Sequence, residues 1–458
     1  MIRSLSATVK IVALLVLMVA GLLLSGLGLR PEPQSAEAAL LSEVKKLLAS
    51  DAQAEDFFSV GVAVSGDTAI VGASGEDAAG SFAGAAYVFQ RDEGGTDNWG
   101  EVKKLTASDA QAGDAFGFSV AISGDTAVVG ALNEGAAAFD AGAAYVFGRN
   151  EGGADNWGEV KKLTASDAEI SDAFSRSVAV SNDTAVVGAP AEDTGGDRAG
   201  AAYVFGRNEG GADNWGEVKK LTAFDAQAGD RFGHDVALSG DTTVIGAYNE
   251  DAGGGPFDEF GAAYVFERDQ GGVDNWGEVK KLTASDAQAN DEFGFSVAIS
   301  GETAVVGARG EDAGGSSAGA AYFFQRDQGG ADNWGQLKKL TASDAQAGDL
   351  FGGIVAVSGE TAVVAAVSED AGGSSAGAAY IFQEPEPPAT STPTVTPTAT
   401  PPPPVGGIAL YDDASLHPLE TPESSSRSFG VLAWAIAAGT GAAALSGAAW
   451  YARRRVTQ

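Results

Sequence analysis

The sequence contains no cysteine, only two histidines and only two methionines. Without cysteine there can be neither disulfide bonds nor thiol catalysis, but a large repeat array can bury a core without disulfides, so export is not excluded. Basic residues are also scarce: 28 Lys and Arg face 62 Asp and Glu, for a formal net charge of −34. Such a chain is unsuited to nucleic acid or to an anionic membrane surface. Metal cations, cationic partners or simple solubility remain as explanations of the charge.

Residues for enzyme chemistry are equally sparse. The two histidines are His234 and His417, and neither zinc-type ligand spacing nor a phosphate-binding loop is present. A Ser–His–carboxylate set around His234 has no serine that stands out. Catalysis by two carboxylates needs acids in unequal environments, which near-identical repeats do not suggest. We therefore predict a protein that is not an enzyme, with an exported hydrolase or lyase acting on glycans as the alternative.

A repeated unit accounts for most of the chain. The stretch Phe116 to Ala131 is one of six copies, and the tyrosines of successive copies are 58 residues apart, except for one step of 61. In the second copy the apolar and β-branched runs predict strand A near 118–123, strand B near 126–131, strand C near 143–149 and strand D near 157–163. Four strands per unit, six units long, predict an all-β fold: a six-bladed β-propeller of four-stranded blades.

The two-residue turn between strands A and B predicts a backbone conformation. Gly124 and Asp125 form this turn in the second copy, and Asn182 replaces the glycine in the third. Glycine and asparagine are the residues that most readily adopt positive φ, so the turn is expected to require it.

The two ends of the repeat array indicate how the propeller closes. The array starts with a D-type strand, Ser42 to Leu47, and it stops after a C-type strand, Ala379 to Phe382. We expect the N-terminal strand to complete the last blade, because closure removes exposed sheet edges. The paired lysines of strand D, such as Lys103 and Lys104, are interpreted as edge protection rather than as an anion-binding ring.

The N-terminal segment has the features of an export signal. Arg3 and Lys10 precede the apolar run 11–29, and the small residues Ala36 and Ala38 suit a cleavage site. We predict a signal peptide over 1–38, with an uncleaved anchor as the alternative. The propeller is then predicted over 39–383.

The C-terminal part predicts a membrane anchor. Residues 384–428 form a Pro/Thr-rich stalk and spacer, extended where proline is dense. Residues 429–452 carry no charge and are followed directly by three arginines, which predicts a transmembrane helix and a cytoplasmic tail over 453–458. The expected location is the cell membrane, single-pass, with the propeller on the extracytoplasmic side.

The repeats resemble the FG-GAP repeats of the integrin α-chain propeller and its bacterial relatives. Phe-Gly pairs begin at Phe116, Phe232, Phe293 and Phe351, and Gly188 to Pro190 supply a complete Gly-Ala-Pro. The resemblance implies a propeller that recognises a ligand. Two departures matter: the integrin propeller has seven blades, and its calcium loop falls where this chain has only the short Gly-Asp turn.

Acidic residues cluster on one predicted face. The B–C loops and D–A connections of all blades share this face, and a carboxylate-rich surface offers the oxygen ligands that Ca²⁺ prefers. The alternative is that these residues form turns and aid solubility. The candidate metal ligands are Asp109, Asp114, Asp167, Asp172, Asp286, Asp291, Asp344 and Asp349.

One patch breaks the symmetry between the copies. The fourth repeat carries a three-residue insertion around Phe257, and the neighbouring repeats add Arg176 and other unusual residues. A binding site needs such asymmetry, although loop drift would also produce it. The candidate ligand-binding residues are Arg198, Arg231, His234, Asp235, Phe257 and Arg309. We predict adhesion to, or recognition of, an extracellular protein or glycan, with a structural envelope role as a further alternative.

Overall fold

The computed structural model describes residues 44–135, 137–251, 259–370 and 372–383, and every regular element in them is a β-strand. Antiparallel pairing of consecutive strands produces six sheets, which are the blades. The strands of blades 1 to 3 are β1 (Phe58–Ser65), β2 (Thr68–Ala73), β3 (Ala85–Gln90), β4 (Gly100–Leu105), β5 (Phe116–Ser123), β6 (Thr126–Ala131), β7 (Ala143–Gly148), β8 (Gly158–Leu163), β9 (Val178–Ser181), β10 (Thr184–Ala189), β11 (Ala201–Gly206) and β12 (Gly216–Leu221). Those of blades 4 to 6 are β13 (Val236–Ser239), β14 (Thr242–Ala247), β15 (Ala262–Glu267), β16 (Gly277–Leu282), β17 (Phe293–Ser300), β18 (Thr303–Ala308), β19 (Ala320–Gln325), β20 (Gly335–Leu340), β21 (Phe351–Ser358), β22 (Thr361–Ala366) and β23 (Ala378–Gln383). The predicted six-bladed, all-β propeller is confirmed.

The predicted strands of the second repeat agree with the structure to within two residues. Strand A starts earlier than predicted, at Phe116, and strand D starts after Trp157, whose φ of 50° is incompatible with an extended strand. The A–B turn has the predicted conformation, since Gly124 has φ 56° and Asn182 has φ 53°. The exchange of glycine for asparagine between copies therefore predicts the conformation of this turn correctly.

The hydrophobic core lies between neighbouring blades. Ile70 and Val88 of the first blade pack in one cluster with Phe116, Val129 and Tyr145 of the second. The Phe116 ring is fully buried and meets the Tyr145 ring edge-on at 5.5 Å. Because the apolar faces of one blade are covered by the next, each repeat depends on its neighbours for stability.

The glycine of the Phe-Gly pair permits close contact between blades. Gly117 has φ 87°, and a Cβ atom there would lie 2.1 Å from the carbonyl oxygen of Ala85 in the preceding blade. No side chain fits at that distance without moving the backbone. The pair thus places phenylalanine in the interblade core and glycine where the backbones touch.

The second lysine of strand D takes part in a polar cluster within its blade. In the second blade the Lys162 ammonium contacts Asp109 at 2.7 Å and the buried Glu134 at 3.0 Å, and the Tyr145 hydroxyl donates to Asp109. Its neighbour Lys161 instead donates to Asn214 of the next blade at 3.1 Å. The edge-protection interpretation is therefore incomplete, because these lysines also connect loops and blades.

The sixth blade contains three strands, β21 to β23. In β23 the side chains alternate between half-buried and exposed, whereas the equivalent strand β7 is buried at all but its last residue. Residues 44–49 form no strand, and closure by the N-terminal strand stays a prediction.

The predicted signal peptide, stalk, transmembrane helix and tail lie outside the described residues. Within the described part, no helix is long and apolar enough to cross a membrane.

Candidate functional site

The B–C loops and the D–A connections lie at the same end of the blades, which we call the B–C end. The loop after β2 accepts backbone hydrogen bonds from the connection that leads into the next blade: Gly113 donates to Ser81, and Phe116 donates to Ala83. The A strands of neighbouring blades contact one another, so strand A is the innermost strand of each blade. The start of strand A and the end of strand B therefore meet at this end, near the centre.

Three positions at the B–C end vary between otherwise similar blades. The reference point is the phenylalanine that each copy has at the position of Phe116. The three positions are the residue before this phenylalanine, the residue two after it, and the residue that follows strand B. From blade 1 to blade 6 the first position holds Phe57, Ala115, Ala173, Arg231, Glu292 and Leu350, all at positive φ. The second holds Val60, Phe118, Arg176, His234, Phe295 and Gly353, and the third holds Ser74, Leu132, Pro190, Tyr248, Arg309 and Val367. The differences in chemistry between blades are concentrated at one end.

His234 links three blades through its two ring nitrogens. Its Nδ1 lies 3.1 Å from the backbone oxygen of Phe295 in blade 5, and its Nε2 lies 3.1 Å from an Nη atom of Arg176 in blade 3. A carbonyl oxygen only accepts, so Nδ1 carries the proton and Nε2 accepts from the guanidinium. Burial and the charge of Arg176 hold the pKa of His234 well below its usual value. The ring is therefore neutral.

Aromatic rings surround this pair. The His234 ring lies 4.5 Å from the Tyr248 ring and 4.7 Å from the Phe295 ring. The Arg309 guanidinium stacks over Phe295 at 3.5 Å and pairs with Glu292. On the other side, the Arg176 guanidinium lies 5.2 Å from the ring centroid of Phe118. We call Phe118, Arg176, His234, Tyr248, Glu292, Phe295 and Arg309 the axial cluster.

Asp235 is a buried residue next to His234 of the axial cluster. It is 2% exposed and stands where blades 2, 3 and 5 have serine, at Ser119, Ser177 and Ser296. One carboxylate oxygen accepts from the Ser177 hydroxyl at 2.8 Å and the other accepts from the Val297 amide at 2.8 Å. Asp235 thus joins blades 3, 4 and 5 and is enclosed by protein. Its carboxylate lies beside His234 and is held by protein groups, and its role in ligand binding stays a prediction.

The arginines divide into two groups according to their ion pairs. Those in the repeated position after strand C pair with carboxylates, for example Arg149 with Asp125 at 3.2 Å and Arg207 with Asp183. By contrast, the described residues place no carboxylate within 4.0 Å of the guanidinium groups of Arg176, Arg198 or Arg231. Burial lowers the pKa of Arg176, and the nearby Asp235 partly opposes this effect. Within the described part of the chain, the B–C end therefore carries guanidinium groups that have no carboxylate at ion-pair distance.

A cavity at the opposite end of the blades is lined by residue pairs that recur in several blades. It has a volume of about 680 Å³ between blades 2 and 3 and is lined by Arg149, Asp125, Asp183 and Arg207 among others. These are the arginine–aspartate pairs that recur along the blades, as in Arg91 with Asp67 and Arg268 with Asp241. Because the same pairs stand in several blades, this cavity gives no reason for one position to bind a particular ligand.

The predicted metal ligands have protein partners. Asp109, Asp167, Asp286 and Asp344 each accept from a tyrosine hydroxyl, and all but Asp344 also contact a lysine. Asp114, Asp172, Asp291 and Asp349 are buried and each accepts from a backbone amide three residues earlier. No group of three or more acidic or histidine side chains suited to a metal occurs in the described residues. Calcium binding stays a prediction without a preformed cluster there.

The other predicted ligand residues are distributed unevenly. His234 and Arg309 belong to the axial cluster, and Arg231 lies in blade 4 close enough to help lower the pKa of His234. Arg198 is exposed in the blade 3 loop and contacts Arg231 only through its backbone oxygen, at 3.2 Å. Phe257 lies outside the described residues. The sequence reasoning missed Phe118, Tyr248, Glu292 and Phe295, which a comparison of equivalent positions across the six copies would have found.

Comparison with protein families agrees with this repeat structure. The FG-GAP repeat model matches residues 41–89, 99–147, 157–205, 215–266, 276–324 and 334–382. The chain belongs to the FG-GAP repeat family. The second to sixth FG-GAP matches each run from a D strand through the A, B and C strands of the following blade, and the first match covers the A, B and C strands of blade 1. The six matches and six blades fit an integrin α-like propeller. A comparison with curated proteins found no match.

Proposed function

We propose that this FG-GAP propeller is a non-catalytic recognition or adhesion domain whose ligand binds at the B–C end, over blades 3 to 5. The observation that carries the proposal is the placement of the differences between blades: repeated residues build the core, while the axial cluster differs at each blade. A scaffold with equivalent blades has no structural need for this variation, and variation at one end of a rigid scaffold is typical of binding surfaces.

The same proposal places the domain at the cell surface. The uncharged segment 429–452, followed by Arg453 to Arg455, supports a single-pass anchor, and the apolar run 11–29 supports export. The proline-rich stalk would hold the propeller away from the membrane. The ligand is then an extracellular protein or glycan.

The test is capture of ligands by the full chain, with and without the B–C end intact. Wild type and a double variant, Arg231→Ala with His234→Ala, are applied to glycan and protein arrays beside a turnover screen. We expect wild type to retain a defined set of ligands and the double variant to lose them. A control double variant, Arg91→Ala with Lys103→Ala, removes two cationic side chains away from the B–C end and should bind as wild type does. Equal capture by all three proteins would refute the site, and turnover that depends on His234 would refute a non-catalytic role.

A further inference from the structure

We propose that Arg176 is the anchor for a carboxylate group of the ligand. This inference rests on the proposed function of the B–C end and adds to it the chemical class that the site recognises. The guanidinium of Arg176 is half-buried between the Phe118 ring and the His234 ring. It lies within the axial cluster, where the blades differ most.

Arg176 retains hydrogen-bond donors that the protein does not use. An arginine has five N–H donors, and the hydrogen bond that the described residues provide to this side chain is the one to His234 Nε2. Its Nε and its other Nη atom are not among the fully buried atoms that lack partners, so neither is completely enclosed by protein. Two parallel N–H groups on one edge of a guanidinium match the two oxygens of a carboxylate.

Among the described residues, no carboxylate forms an ion pair with Arg176. The nearest buried carboxylate, Asp235, accepts from the Ser177 hydroxyl and from the Val236 and Val297 amides. Glu292, the acidic member of the cluster, pairs with Arg309. A cation removed from water is costly unless an anion accompanies it, so a bound anion would relieve this cost. That relief is the source of the expected affinity.

The neighbouring groups favour a singly charged, planar anion. His234 is neutral and presents a lone pair to Arg176, so the histidine adds no second positive charge next to the Arg176 guanidinium. The half-buried Tyr248 stands beside His234, and its hydroxyl makes no hydrogen bond among the described residues. A carboxylate on Arg176 with an uncharged group against Tyr248 fits this arrangement. Acidic sugars and acidic protein side chains share this chemistry.

The experiment measures binding of two carboxylate probes to the full chain by calorimetry. The probes are a galacturonate oligosaccharide and a glutamate-rich peptide, each compared with its uncharged counterpart, a galactose oligosaccharide and a glutamine-rich peptide. We expect at least one carboxylate probe to bind, and its uncharged counterpart to bind at least about tenfold more weakly. The probe that binds identifies the source of the carboxylate. Binding of neither probe at millimolar concentration, or equal binding of a charged and an uncharged partner, would overturn the inference.

Variants at Arg176 separate recognition from structure. Arg176→Gln should weaken binding of the carboxylate probe about tenfold to hundredfold. Arg176→Lys keeps the charge but not the paired donors, so its loss should be intermediate. Arg91→Gln removes the same charge from a side chain that is 40% exposed and lies away from the B–C end, and it should bind as wild type does.

Two further readouts make the outcomes distinguishable. Without ligand, Arg176→Gln should melt at or above the wild-type temperature, because it removes an unneutralised cation; a clear decrease would indicate a structural role and contradict the inference. If Arg176→Gln leaves array capture intact while the Arg231/His234 double variant abolishes it, the proposed function survives and the carboxylate inference fails. If neither variant affects capture, both fail.

Discussion

At the scale of single residues, a substitution at one repeated position adds a contact between blades. Ser296 in blade 5 and Asp235 in blade 4 occupy the same position, and each accepts an amide hydrogen bond from the next blade. The aspartate adds a second oxygen that also holds Ser177 of the preceding blade. This extra bond holds the segment just before β13, which contains His234. The buried Asp235 thus contributes to the arrangement of the axial cluster.

The buried aspartates near strand A provide a prediction about pH. Burial raises the pKa of Asp291 from 3.8 to about 6, although the Gln288 amide partly opposes this shift. Between these values the folded state holds a proton that the unfolded state releases, so the contribution of Asp291 to stability falls as pH rises from about 4 to about 6. Asp291→Asn should remove this decrease, which we expect to be on the order of 1 to 3 kcal/mol. Urea unfolding at pH 4.5 and pH 7.5 measures it.

Asp286 in the same blade serves as a control, because its pKa is shifted in the opposite direction. Burial alone would raise its pKa, but hydrogen bonds from Lys339 and Tyr322 outweigh it and lower the pKa. Its contribution is therefore present at neutral pH and is lost as pH falls below about 4. Asp286→Asn should lower the free energy of unfolding most at pH 7.5, whereas Asp291→Asn should raise it most at that pH. The same pH profile for both variants would contradict the assignment.

At the scale of elements, strands were more predictable than the contacts between them. Short β-branched runs and two-residue turns placed β5 to β8 closely, because these signals depend on local chain geometry. The partners of Lys162 were not predictable, because Asp109 and Glu134 approach it from loops far along the chain. Likewise, His234 and Arg231 stood out as unusual residues, but Tyr248 and Phe295 did not, since aromatic residues are common in a blade core.

The polar cluster of Lys162 provides a prediction for a whole blade. Glu134 is 1% exposed, and Lys162→Ala removes the cation that contacts it. Leaving a buried carboxylate without its cation should cost about 2 to 4 kcal/mol of unfolding free energy. Lys161→Ala, one residue away, loses a bond to a neutral amide and should cost only about 1 kcal/mol. Chemical unfolding followed by tryptophan fluorescence compares the two, and equal costs would show that the buried ion pair adds nothing.

At the scale of the whole molecule, the repeats suggest how the last blade is completed. The first FG-GAP match includes a segment with the sequence of a D strand, residues 42–47, and the last match ends within a C strand at residue 382, so one D-type segment is available and one D strand is needed. Ala86 pairs with Leu105 in blade 1, and the equivalents of these residues in a completed sixth blade are Ala379 and Leu47. Ala379 is exposed in the three-stranded sheet, whereas Ala86 is fully buried.

A disulfide tests this closure, and the absence of native cysteine makes the result unambiguous. The double variant Leu47→Cys with Ala379→Cys should form an intramolecular disulfide under mild oxidation, because paired positions on neighbouring strands bring the two thiols within bonding distance. The measurement is the shift of the monomer band on a non-reducing gel, with each single variant as a control. The pair Leu47→Cys with Ile381→Cys, displaced by two residues along β23, should cross-link far less. A dimer instead of a cross-linked monomer would show that the strand completes the blade of a second copy, and free thiols in both double variants would show that the sixth blade is completed in another way.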